Sequence, residues 1–131
     1  MRALPALLLL SCLAQPAAAQ DCGVTQADMN ACAGASFSRA DADLNAAYRR
    51  ITARLARDDA ARSALTEAQR AWVRFRDAEC AFATVDSEGG SIRPMLTAGC
   101  MEALTRRRTA DLEAHMACTG DGTCAAPLRS R

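Results

Sequence analysis

Histidine occurs once in this chain, at position 115, and no two cysteines form a Cys-x-x-Cys pair. The single histidine leaves no Ser-His or Cys-His arrangement for nucleophilic catalysis. The missing pair removes the usual ligand spacing of a zinc site and a thioredoxin-like redox role. Lysine is absent, and the 16 basic residues, all arginine, face 15 acids. A chain so balanced lacks the basic excess that nucleic acids and anionic membranes attract. No apolar run reaches the about 20 residues of a membrane span. There is no glycine-rich phosphate loop either. The pattern is that of a non-enzyme that needs no cofactor.

The N-terminus carries a secretion signal. Arg2 precedes an apolar run from Ala3 to Ala14, and Ala17-Ala18-Ala19 supplies the small-residue cleavage pattern. Cleavage there makes residues 1–19 the signal peptide and residues 20–131 the mature domain, with 15 basic and 15 acidic residues once Arg2 is gone. A rival processing site is Leu9-Leu10-Ser11-Cys12, a lipobox-like run that would anchor the protein to a membrane through a lipidated Cys12. The expected location is the periplasm or the exterior, as a soluble form or as that lipoprotein.

Six cysteines remain: Cys22, Cys32, Cys80, Cys100, Cys118 and Cys124. An even number in a short exported chain implies a disulfide framework, with fifteen possible pairings.

Helical signals fill the interior. Thr25-Gln-Ala-Asp28 reads as a capping box opening a first helix. Its face runs through Met29, Ala33, Phe37, Ala40, Leu44, Tyr48, Ile51 and Leu55 in steps of three or four. Asp58-Asp59 marks a turn. A second helix over 63–83 carries the stripe Leu65, Ala68, Trp72, Phe75, Glu79, Phe82, which places a carboxylate on the core side. Such a group must be paired, and Arg76 or Arg108 is its candidate partner. Val85 to Ser91 reads as a loop on turn chemistry. A third helix, with Ser91 as a cap and Pro94 in the first turn, carries Leu96, Cys100, Leu104, Arg108 and Leu112. Gly120 and Gly122 follow its end.

Three helices with short connections predict an all-α antiparallel bundle. That topology brings the second loop to the start of the first helix. It would let Cys80 pair with Cys100 across the loop, Cys22 with Cys32, and Cys118 with Cys124.

Three segments carry a family resemblance: Gln26-Ala-Asp-Met-Asn-Ala-Cys32, Ala40-Asp-Ala-Asp-Leu-Asn-Ala-Ala-Tyr48, and Ala68-Gln-Arg-Ala-Trp-Val-Arg-Phe-Arg-Asp-Ala-Glu-Cys80. Gly89-Gly-Ser91 and Cys100-x-x-x-Leu-Thr-x-x-Arg108-x-x-x-Leu112 complete the pattern. Together they resemble the LprI-like lysozyme inhibitor N-terminal domain family. The resemblance implies an exported protein that binds a lysozyme-type muramidase; a structural or stress-related cell-envelope protein with a different ligand is the alternative. The candidate contact loop is Asp86-Ser87-Glu88-Gly89-Gly90-Ser91, whose two acids suit a basic enzyme cleft. Its other reading is a plain helix connection. Arg76, Glu79 and Arg108 are candidates for buried ion pairing.

Overall fold

A computed structural model describes residues 22–117, which form three helices: α1 (Gln26–Arg54), α2 (Asp59–Ala83) and α3 (Arg93–Ala117). The expected signal peptide, Cys12 and the expected Cys118–Cys124 pairing lie outside the described residues. The fold is the expected all-α bundle, with Cys22 joined to Cys32 and Cys80 to Cys100.

α1 and α2 begin where side chains can cover free backbone amides, whereas at the start of α3 backbone carbonyls of Gly90 and Ile92 accept from Arg93 N and Leu96 N. Thr25 Oγ1 accepts from Asp28 N at 3.1 Å and Asp28 Oδ2 accepts from Thr25 N at 3.3 Å, the reciprocal capping box. Asp58 Oδ1 accepts from Ala61 N at 2.9 Å and starts α2 four residues earlier than the apolar pattern indicates.

The chain runs up, down and up. Gln26 and Asn30 of α1 meet Met95 and Ser91, while Arg50 and Arg54 meet Glu113 and Met116, so α1 and α3 are parallel. These two helices are the closely packed pair. Buried Ala40, Ala47 and Thr105 keep their facing surfaces low. α2 stands further from α1, and long side chains bridge the gap: Tyr48 reaches Thr66, Arg76 reaches Asp41 and Phe37, and Trp72 packs against the apolar core.

The apolar core is lopsided. Leu44, Ala47, Ile51, Leu55 and Leu112 form it, with Tyr48, Leu65, Trp72 and Met116 packed against it. All of these lie toward the α1–α2 turn, away from the α2–α3 loop.

The face of α2 differs from the sequence expectation. Arg76, Cys80 and the following Thr84 are buried, whereas Ala68, Phe75, Glu79 and Phe82 are exposed. The helix is rotated by about a quarter turn from the apolar stripe. Two constraints outweigh that stripe: the Cys80–Cys100 bond must face α3, and Arg76 finds its aromatic and acidic partners only on the inner side.

Candidate functional site

The α2–α3 loop is built as a chain of tight turns. Thr84 is buried at its root, where its Oγ1 donates to Cys80 O at 2.8 Å and meets Thr97 Oγ1 at 3.2 Å. A 3₁₀ turn over Val85–Ser87 follows. Amides of Ser87, Glu88 and Gly90 donate to the carbonyls of Thr84, Val85 and Ser87 at 3.0–3.1 Å. Gly89 then takes φ +76°, a left-handed conformation that favours glycine. Asn30 Nδ2 donates to Ser91 O at 2.9 Å, and Gln26 Nε2 donates to Asn30 Oδ1 at 2.9 Å, fixing the loop to the first turns of α1.

The disulfide closes the base of this loop, and Cys80 itself is fully buried. The outer surface is polar. Asp86, Glu88, Gly89, Gly90 and Ser91 are exposed and Ser87 is half-buried. Glu88 lies 3.4 Å from Arg93, while Asp86 has no ion-pair partner among the described residues. Beside the loop an open groove of about 550 Å³ is lined by Phe37, Gly89, Gly90, Arg93, Thr97 and Met101, among others.

Phe37, which lines the groove, also packs against a buried cation. Arg76 is only 8 % exposed. Its guanidinium carbon lies 5.2 Å from the centroid of Phe37 and 5.3 Å from that of Trp72. Its nitrogens reach Asp77 at 2.8 Å and Asp41 at 3.4 Å. Glu79 is not part of this cluster: it is exposed, so the expected Arg76–Glu79 pairing is replaced by Asp41 and Asp77. Arg108 is no partner for Glu79 either. Its Nε donates to Gln69 Oε1 at 3.1 Å. Partial burial pulls the Arg108 pKa below its ordinary value, and nearby Asp111 opposes that shift.

Asp77, Asp41 and Phe37 are the members of the cluster that sequence reasoning did not pair with Arg76, and the last two come from α1. Their spacing of four residues puts both on one face of α1, and Phe37 already stood on the expected stripe. Arginine's need for a planar acidic and aromatic surround is the signal that could have found them. Among the described residues no group of three or more His, Cys, Asp and Glu converges to hold a metal ion. No helix there is long and apolar enough to cross a membrane.

An uncharacterized protein of Rhizobium meliloti (strain 1021) is 43% identical over 128 residues, covering 85% of this chain and 92% of that relative. No solved structure matches. The family model described as Lysozyme inhibitor LprI matches residues 16–112, a span that contains all three helices nearly to the end of α3, both described disulfides and the whole α2–α3 loop. The chain therefore belongs to the LprI lysozyme inhibitor family.

Proposed function

We propose that this protein is an exported, non-catalytic inhibitor of a lysozyme-type muramidase and that the loop Asp86–Ser91 enters the enzyme's cleft. The observation that carries the reading is family membership over a span that includes this loop. Its geometry supports the role. The loop is pinned at its base by Cys80–Cys100 and at its C-terminal end by Asn30, so little ordering cost remains to be met on binding. Asp86 and Glu88 place two exposed carboxylates on one loop of a molecule whose charges otherwise nearly balance. Lysozymes are basic, so these acids give local complementarity where net charge gives none. The adjoining groove is open, a shape that accommodates a protein segment better than an enclosed small molecule.

Export also belongs to this proposal. Two disulfides fit an oxidising compartment, and the N-terminal segment has the form of a signal peptide. An exported protein beginning at Gln20 supports the soluble form; one beginning at a lipidated Cys12 replaces it with the anchored form.

The direct test is an inhibition titration of the oxidised protein against a panel of muramidases at physiological salt. Stoichiometric inhibition of at least one enzyme is expected, and Asp86→Arg with Glu88→Arg should weaken it about tenfold or more, the scale of losing a close charge pair. Failure to inhibit any enzyme in the panel would remove this reading in favour of an envelope protein with another ligand. Inhibition that the charge reversals leave intact would move the contact away from the loop.

A further inference from the structure

The outer face of α2 carries a second apolar seam that no element among the described residues covers. Ala64, Ala68, Ala71, Phe75, Ala78 and Phe82 follow one another in steps of four, three, four, three and four. That is the a/d rhythm of a coiled coil, and it spans about 27 Å at the helical rise of about 1.5 Å per residue. All six residues are exposed, with Phe75 at 53% and Phe82 at 74%. The inner face of the same helix is already occupied by Leu65, Trp72, Arg76 and Cys80.

The seam is complementary to itself. Laid antiparallel on a second copy about a two-fold axis near residue 73, Phe82 falls opposite Ala64, Phe75 opposite Ala71, and Ala68 opposite Ala78. Each large ring thus meets a small residue, and every layer pairs an a position with a d position, as antiparallel helices require. The flanks are mixed, with Glu67 and Arg74 on one side and Glu79 on the other.

We infer that α2 is a homodimerisation helix and that the occupant of its outer face is the same helix of a second copy. The inference is independent of the proposed muramidase contact, since the seam lies on a different surface from the α2–α3 loop. A phenylalanine buries on the order of 200 Å², so the two rings alone leave about 250 Å² uncovered per copy. With the alanines, two copies together approach the about 1,000 Å² at which specific interfaces begin. The dimer is therefore a weak one, with a dissociation constant on the order of 10 µM or above.

Sedimentation equilibrium of the oxidised exported protein, from about 1 to 500 µM, tests it, with those concentrations set around that affinity. A monomer–dimer transition within that range is expected. Ala71→Phe should weaken association, because two rings then collide at one layer, and Phe75→Ala should weaken it by losing the knob. The double variant Ala71→Phe/Phe75→Ala restores one ring per layer and should recover the dimer. Both sites are exposed, so far-ultraviolet circular dichroism should show every variant folded. A strictly monomeric protein at the highest concentration overturns the inference. So does tighter association of Ala71→Phe, which would mean unspecific adhesion. Protection of the seam in the monomer by residues 118–131 overturns it as well.

Discussion

Arg76 shows how a charged side chain can occupy a core position at the expense of the apolar pattern around it. Its guanidinium faces Phe37 and Trp72 and is held by Asp41 and Asp77, whose carboxylates remain 42% and 50% exposed. The acids keep much of their hydration, so the pair avoids the full penalty of a buried ion pair. Lysine would keep the charge but lose the planar stacking and the two-nitrogen contact with Asp77. Arg76→Lys should cost about 1–2 kcal/mol in urea unfolding, part of the combined worth of a partly desolvated cation–π contact and a charge-assisted hydrogen bond, since lysine keeps the charge. Glu79→Gln should lie within about 0.5 kcal/mol of the parent, as an exposed substitution does. A larger effect at 79 than at 76 would contradict this arrangement. Thr105 is the opposite case. It is fully buried, and its Oγ1 has no hydrogen-bond partner. Thr105→Val preserves shape and removes the unsatisfied oxygen, so stability should rise by about 1 kcal/mol. A loss on that substitution would mean that the hydroxyl has a partner.

At the scale of the element, boundaries were more legible than faces. The α1 start was readable because Thr25 and Asp28 stand at capping-box spacing, and the loop because Gly89-Gly90 cannot easily continue a helix. The α2 face was not, because α2 carries two apolar stripes. The more regular one, through Phe75 and Phe82, lies outside. The sequence offered Arg76 for buried ion pairing only as the partner of an inward Glu79; the position of α1, with Phe37 and Asp41, is what turns Arg76 inward while Glu79 faces out. In α3 the expected stripe also splits. Cys100 and Arg108 reach toward α2, through Cys80 and Gln69, while buried Leu112 joins the core of α1. The capping box makes an acid-sensitive element. Hydrogen bonds from the Thr25 side chain and then its backbone lower the Asp28 pKa from 3.8. A lowered folded-state pKa means the stabilisation is present above the unfolded value and is lost as pH falls through the folded one. The α1 terminus should therefore stay capped at neutral pH and fray only in strong acid, below about 4. Thr25→Ala should cost about 1 kcal/mol at pH 7 and less at pH 2. An equal cost at both values would detach the cap from the ionisation of Asp28.

Across the whole molecule, stability is divided between two ends of different chemistry. The α1–α2 end holds the apolar cluster of Leu44, Ile51, Leu55 and Leu112. The end that presents the loop has Cys80, Thr84 and Asn30–Ser91 contacts in place of large aliphatic side chains, and both described disulfides lie there. Closing sequence separations of 10 and 20 residues is worth about 3 kcal/mol each in the chain-entropy picture. That is a large share of the about 5–15 kcal/mol typical of a domain. Reduction should consequently act unevenly. In hydrogen exchange after mild reduction, amides of the α1 start and of residues 84–100 should lose protection first. Those of residues 44–55 and 108–116 should stay protected until global unfolding, as expected of separate cooperative units. Inhibition of a muramidase, if the loop carries it, should fall in step with the first group. Uniform loss of protection would instead make the bundle a single cooperative unit, with the disulfides stabilising all of it equally.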